Sequence, residues 1–445
     1  MNLRQRLYFL LFRLRGIDFG AYYEQILQEY RNGIPADTSK RLLVQMLAHC
    51  QQHVPYYAEV MCQAGDSFRD DPVEYLREFP LLTKDIIRSR LDDLKSSDLS
   101  KRKWFYNTSG GSTGEPVRFI QDHEYSAWMG AVKNLYSKLA GYEIGDTYIS
   151  LWGSERDIFH SSEELKSRIL NKLSNSIYLN AYRMTPVRMR EYIAVINARR
   201  PKLLVCYAES LYELARFVER EKINVHPQVA IMTSAGVLYP FMREKIEKVF
   251  QCRVYNRYGS REVGDIACEV PGLEGLWVAP WGTYVEIVDD DGNRVSDGTE
   301  GEIVVTSLTN FAMPLIRYRI GDRGVLAPLP KDNQKKYGQV LMSLLGKTNG
   351  IFKTRSGMID CGYFEGLMYY RDWVRKFQVV QKNYSWVLFK IAKSNLDYQQ
   401  AELDEIESKT RLVMGNDCKV TFEFVDEIAP LGSGKYCFTI SEVEG

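Results

Sequence analysis

Nine residues, Thr108-Ser109-Gly110-Gly111-Ser112-Thr113-Gly114-Glu115-Pro116, contain three glycines and four hydroxyl side chains. Glycine adopts φ > 0 without a Cβ penalty, so the backbone N–H groups of such a loop can turn together toward an anion while the hydroxyls donate beside them. The stretch reads as a phosphate cradle, and by its local chemistry alone it is also an ordinary flexible turn. It is not the nucleotide loop that needs Gly-Lys-[Ser/Thr] opening a helix, because Gly114 is followed by Glu115 and Pro116. The alternation of Val117 and Phe119 after the proline predicts a strand, so the loop joins two strands.

Other chemistry-bearing residues are less organised. The histidines (His49, His53, His123, His160, His226) form no metal-spaced pair beyond His49 and His53 at i, i+4, and no further ligand signal accompanies those two. Asp289-Asp290-Asp291-Gly292-Asn293 lacks the spacing of a calcium loop and reads as a solvated hairpin turn. The eight cysteines never form a C-x-x-C pair, and a chain this long needs no covalent staples, so reduced thiols are expected; a zinc site assembled from distant segments stays open.

The elements that must position the loop follow from periodicity. Tyr22 to Gln63 is helical, broken at Pro35 and Pro55, and Phe79 to Asp85 is a turn into a helix with Thr83 as N-cap. After a helix from His123 to Leu139, strands at Tyr148 to Trp152, Leu203 to Tyr207 and Val229 to Thr233 alternate with helices at Val187 to Ala198 and Ser210 to Glu221. That alternation predicts an α/β architecture with a largely parallel sheet. From Leu276 strands dominate, with a hairpin pairing Tyr284 to Val288 and Glu302 to Thr306. Lys331 to Lys336 reads as a polar loop, and a domain boundary is expected at the glycines that follow. Residues 1–348 then form a large domain of mixed and parallel sheets. Residues 349–445 form a small α+β domain with strands at Phe377 to Gln381, Val387 to Ile391, Lys419 to Phe424 and Tyr436 to Ile440 and a helix at Tyr398 to Leu412.

Composition bounds the partners. Lys plus Arg, at 58, nearly cancels Asp plus Glu, at 57, so no global field draws in nucleic acid. An anion must be captured locally. No run is long enough to span a bilayer. The segment Arg4 to Arg15 places Leu7-Tyr8-Phe9-Leu10-Leu11-Phe12 between Arg4/Arg6 and Arg13/Arg15. Its two readings are a first helix packed on the core and a peripheral anchor on anionic lipid. A cytoplasmic location is expected, with the inner face of the membrane as the alternative site of residence.

Six stretches in order, Thr108 to Pro116, Ser234-Ala235-Gly236, Tyr258-Gly259-Ser260-Arg261-Glu262, Tyr318-Arg319-Ile320-Gly321-Asp322, Gly346-Lys347-Thr348-Asn349 and Pro430-Leu431-Gly432-Ser433-Gly434-Lys435, resemble the core motifs of the adenylate-forming enzymes. Val54-Pro55-Tyr56-Tyr57, Phe79 to Asp85, Trp152 to Asp157 and Thr306 to Asp322 are similar to the phenylacetate-coenzyme A ligase branch and its capsular polysaccharide biosynthesis (CapK-like) relatives. The resemblance covers nearly the whole chain. It implies that Thr108, Ser109, Gly110, Gly111, Ser112, Thr113 and Gly114 hold the β- and γ-phosphates of ATP, and that Glu262 holds Mg2+. Tyr258, with Gly259 and Ser260 beside it, would face adenine, Ala235 and Gly236 would let the base lie against backbone, and Asp322 would accept from the ribose hydroxyls. Lys435 would reach the carboxylate and the α-phosphate together, with Lys435 and Glu262 as the catalytic pair, and Asn349 would be the hinge of a rotating small domain.

The same chemistry stands on its own terms. Joining a carboxylate to a phosphate brings two anions together, so such a site must supply cations and donors. Three departures from the commoner pattern stand out: Val117-Arg118 replaces a lysine after the loop proline, Gly346-Lys347 and Asn349 replace a Gly-Arg and acidic hinge, and Arg261 replaces Thr or Ser before the glutamate. The expected activity is AMP-forming ligation of a carboxylic acid to an amine, sugar or thiol acceptor, with coenzyme A as an alternative acceptor. The rival of another class is a nucleotide-binding scaffold without turnover.

Overall fold

The computed structural model describes residues 2–443 except 66, 110–116, 153–173, 182–183, 237, 348–350, 356, 370, 372, 395 and 429–437. The expected site residues Gly110, Gly111, Ser112, Thr113, Gly114, Asn349 and Lys435 therefore lie outside the described residues, as do residues 153–157 of the acidic and aromatic segment.

One eleven-stranded mixed sheet organises the body. Five strands, Ser176–Asn180, Tyr148–Trp152, Leu203–Tyr207, Ile231–Ser234 and Val254–Ser260, run parallel in that spatial order. In the inner strands Tyr148–Trp152, Leu203–Tyr207 and Ile231–Ser234 the runs of Ile, Leu, Val and Cys are buried on both faces, as a parallel sheet covered by helices requires. Helices Pro186–Arg199, Ala208–Arg220 and Pro240–Phe250 connect them. The remaining strands, Gly264–Glu269, Leu276–Val278, Gln339–Lys347, Tyr318–Leu326, Glu300–Ser307 and Thr283–Val288, continue the sheet antiparallel. Val254–Ser260 is thus the seam between two regimes. The C-terminal ends of its parallel half form the kind of edge where open α/β sheets gather ligands.

The expected hairpin around the glycine-rich loop is present: Trp104–Thr108 pairs antiparallel with Arg118–Asp122. Its stem is pinned by Ser109, whose N–H donates to the Val117 carbonyl (2.9 Å) and whose Oγ accepts from the Val117 N–H (2.8 Å). Asp122 then caps the helix His123–Leu139 by accepting from the Tyr125 N–H at 2.6 Å. Thr83 caps Lys84–Ser89 in the same way, accepting from Ile86 N–H at 3.3 Å.

Two of the quoted stretches turn out to be clamps on a third. Tyr57 is buried, donates its hydroxyl to the Pro314 carbonyl (3.1 Å) and accepts from the Ile316 N–H (3.0 Å). Leu82 exchanges backbone bonds with Arg317 and Arg319 (3.0 and 2.9 Å). Arg317 itself, in the left-handed region at φ +49°, donates to the Phe79 and Gly292 carbonyls (2.9 and 2.7 Å) and pairs with Glu286 (3.3 Å). The Val54 and Phe79 segments therefore fix where the strand Tyr318–Leu326 begins.

Lys331 to Lys336, read as a loop, is the helix Lys331–Tyr337. Its polar residues carry no apolar period, and the buried Tyr337, whose carbonyl accepts from the Trp277 indole at 2.8 Å, anchors it. The parallel strands expected between Tyr148 and Ala235 and the strands expected from Leu276 belong to one sheet, because Val254–Ser260 leads from the parallel half into an antiparallel meander. Beyond Lys347 the chain forms a hairpin, Ile351–Thr354 with Gly357–Asp360, and a four-stranded sheet in the order Lys419–Phe424, Trp386–Lys393, Val374–Asn383, Thr439–Ser441. Helix Gln400–Met414 accompanies that sheet. Among the described residues no helix is long and apolar enough to cross a membrane.

Candidate functional site

Two β-bulges build the site. In the pairing of Val254–Ser260 with Gly264–Glu269 the register shifts between Tyr258 and Gly259. A Cβ on Gly259 would stand 2.4 Å from the Gly264 carbonyl oxygen, so only glycine lets the strands come this close. In the second bulge, Val304 faces Arg319 while Glu302 faces Arg323, so two steps on one strand oppose four on the other. The excess carries Gly321, at φ +90° with open space where a Cβ would point, and the half-buried Asp322. Bulges next to active sites aim side chains out of a ladder, and these two aim theirs at each other.

The Tyr258 hydroxyl donates to Asp322 Oδ2 at 2.8 Å, and the Tyr318 hydroxyl donates to Glu262 Oε1 at 3.2 Å. Burial first, and then the neighbouring carboxylate, pushes each phenol above its ordinary range, so both remain donors through the neutral range. Glu262 is buried. The nearby Arg257 pairs with Asp265 at 3.3 Å. Gln121, on the strand leaving the glycine-rich loop, donates to the carbonyls of Arg261 (2.8 Å) and Glu262 (3.3 Å) and accepts from Asn107 on the strand entering it (3.0 Å). Asn310 ties the same strand to the Tyr318 segment, donating to the carbonyls of Ile120 (2.9 Å) and Met313 (3.0 Å).

Stretches distant in sequence are thus one hydrogen-bonded unit: the loop hairpin, the Tyr258 to Glu262 turn and the Tyr318 to Asp322 strand. Thr108 is in register with Arg118 at the end of the stem, and its N–H donates to Asn107 Oδ1 at 2.8 Å. The Arg118 guanidinium stacks over the Tyr106 ring, 3.5 Å from its centroid. Ser260 Oγ accepts from the Val263 N–H (3.4 Å), closing the turn before Gly264. Ala235 follows the end of Ile231–Ser234, exposed and left-handed at φ +67°, with Gly236 beside it. A left-handed alanine is strained, and such strain concentrates where a backbone must present itself to a ligand.

Sequence reasoning missed Gln121, Tyr318 as the partner of Glu262, and both bulges. Trp152 and Tyr207 end adjacent parallel strands with ring centroids 4.2 Å apart, whereas Tyr239 packs against Tyr363 of the small unit at 5.2 Å. His49, His53 and Asp98 do gather within 4.8 Å. Each also has protein partners: His49 Nε2 meets the Phe311 carbonyl (2.9 Å), His53 Nδ1 meets Ser97 Oγ (3.2 Å), and Asp98 holds Arg102 through both oxygens (2.9 Å each). Among the described residues no cysteine joins such a cluster.

The family model of the CapK C-terminal domain matches residues 351–442. Protein CapK of Staphylococcus aureus is 24% identical over 428 residues, spanning 95% of this chain and 93% of its own. The chain is a homologue of CapK. Phenylacetate-coenzyme A ligase of Escherichia coli (strain K12) is 24% identical to this CapK homologue over 63% of the chain and 65% of its own. The fold is that of the adenylate-forming ligases. 2-Hydroxyisobutyryl-CoA ligase in the postadenylation state, in complex with 2-HIB-AMP, superposes on the CapK homologue with a TM-score of 0.62 at 18% identity, over 89% of this chain and 88% of that one. An open conformation of the same ligase, with 2-HIB-AMP and CoA, gives 0.56 at 16% identity, over 90% and 91%.

Proposed function

We propose that this chain is an ATP-dependent, AMP-forming ligase that activates a carboxylic acid as an acyl adenylate and passes the acyl group to an amine or sugar acceptor in surface polysaccharide assembly. The observation that carries the proposal is the pair of phenol-held carboxylates, Tyr318 to Glu262 and Tyr258 to Asp322, bonded into the hairpin of the glycine-rich loop. An acceptor-only carboxylate on an outward bulge suits the two hydroxyls of a ribose. Ala235 and Gly236 offer backbone to the base beside Tyr258, with Gly259 and Ser260 shaping the turn. The loop from Thr108 to Gly114 receives the β- and γ-phosphates.

A Mg2+ ion fits the same donor set. Glu262 is a buried carboxylate with a neutral phenol as hydrogen-bond donor, which leaves its negative charge to offset a hard cation shared with phosphate oxygens. Bound there, the ion would neutralise charge developing toward pyrophosphate. Lys435 is assigned to the reacting carboxyl and the α-phosphate, and Asn349 to the hinge between domains 1–348 and 349–445. The acid lies against Trp152 and Tyr207, whose rings meet at the parallel strands' C-terminal ends.

Pyrophosphate exchange over a panel of carboxylic acids tests the reading without knowledge of the acceptor. At least one acid should support exchange, and Lys435→Ala should lower it about a hundred- to thousandfold while ATP still binds. Exchange with none of a broad panel would favour the scaffold reading. Transfer to coenzyme A is the second reading, favoured by the phenylacetate-coenzyme A ligase relatives. The match to CapK spans 95% of the chain against 66% and 63% for those relatives, which supports the first. AMP release that depends on a thiol would select the second.

A further inference from the structure

The helix Leu3–Leu14 has two apolar faces. Its inner face holds the buried Gln5 together with Tyr8, Phe9 and Phe12, whose rings lie 5.7, 5.6 and 5.2 Å from that of Phe19. Asn2 fastens its start, accepting from Gln5 N–H (2.8 Å) and donating to the Ile144 carbonyl (2.9 Å). The outer face is Leu3, Leu7, Leu10 and Leu14, exposed by 73%, 39%, 51% and 74%. These four are among the fifteen exposed large hydrophobics of the described chain, so this stripe is a concentration and not scatter.

Charge says what covers it. At about 100° per residue, Arg6 and Arg13 fall along one edge of the leucine stripe and Arg4 and Arg15 along the other. All four arginines are exposed, and residues 1–17 contain no acidic side chain. Lys103 joins the same end of the helix, donating to the Arg15 carbonyl at 3.0 Å. A second copy of this helix laid on the first would set arginine edge against arginine edge with nothing acidic between them. An anionic bilayer surface accepts both edges at headgroup level and the leucines just beneath.

We propose that the leucine face of Leu3–Leu14 docks in the plane of an anionic membrane surface, with the aromatic face remaining on the protein. Helices with this distribution lie in the interface and do not cross it. The contact is independent of whether the site ligates anything, so its failure and that of the ligase reading are separable.

Sedimentation of the full chain with vesicles of phosphatidylcholine plus phosphatidylglycerol, and of phosphatidylcholine alone, tests it. Binding should occur on the anionic vesicles, weaken with salt and be slight on the neutral ones. Each arginine near such a surface contributes about fivefold, so Arg6→Gln/Arg13→Gln should weaken binding about twenty-five-fold. Leu7→Gln/Leu10→Gln should weaken it by about tenfold or more, with thermal unfolding unchanged because both side chains face outward. Equal binding to both vesicle types, absence of binding, or a dimer in solution that Leu7→Gln/Leu10→Gln dissolves would each overturn the proposal.

Discussion

Replacing Tyr258 with phenylalanine removes one hydroxyl and leaves the ring where it is, since the side chain is buried. What is lost is the 2.8 Å bond to Asp322 Oδ2. A hydrogen bond to a charged group contributes roughly 1.5 to 3 kcal/mol net. Asp322 is only half-buried, and water recovers part of this, so about 1.5 kcal/mol is the expected loss, or roughly tenfold in binding. If Asp322 receives the ribose hydroxyls, the freed carboxylate must be ordered each time ATP binds. The loss should then appear as a KM for ATP raised about tenfold in pyrophosphate exchange, with kcat changed by less than about twofold. Exchange measured against ATP concentration, beside a thermal melt, separates the outcomes. A KM for ATP that stays put while the melting temperature falls would show the bond to be scaffolding, and the nucleotide assignment of Asp322 would go with it.

Tyr318→Phe should raise the Mg2+ concentration needed for half-maximal exchange by about three- to tenfold, because Glu262 loses the donor that orients it; an unchanged requirement would remove Glu262 from the metal. Gly259→Ala must open the first bulge to clear the 2.4 Å approach to Gly264, and should cost about 2 to 3 kcal/mol in denaturant unfolding; an unshifted midpoint would mean that the bulge yields freely. Lys409 joins the small unit to the body, pairing with Glu213 at 3.2 Å and Glu405 at 3.3 Å, and burial lowers it to about 8 against the opposing pull of Glu213. A base with a depressed pKa binds fewer protons when docked than when exposed, so the docked arrangement gains stability as pH rises from about 8 toward the ordinary 10.5. That gain is bounded at roughly 3 kcal/mol. It should be absent from Lys409→Met, so the difference in unfolding free energy between the two proteins should change across that window; parallel pH profiles would refute it.

How far the sequence could be read depends on whether a signal was local. The Leu203–Tyr207 strand and the Ala208–Arg220 helix follow from an apolar run passing into helical periodicity, and both stand where that pattern puts them. The hairpin around the glycine-rich loop was legible from Val117 and Phe119 alone. The Lys331–Tyr337 helix was not, because it carries no apolar stripe and is held by a single buried tyrosine. Gly259 and Gly321 lie inside strands that the sequence did not announce, and only pairing partners reveal the bulges and which way they point. The Tyr318 to Glu262 and Gln121 to Glu262 contacts span 56 and 141 residues, and nothing in either segment names the other. Lys409 and Glu213 look like solvent-facing charges on amphipathic helices, and nothing in either helix announces that the two meet.

The second bulge has a consequence for how this strand can change length. Four steps set against two leave an even surplus, so the side chains of Val325 and Leu326 keep the phase they would have had in an unbroken ladder. Removing one residue there would invert inside and outside for everything downstream, turning Leu326 toward solvent. Removing two would restore a plain strand that still folds, stripped of its carboxylate. Relatives that lack the acid at this position should therefore be shorter by a pair.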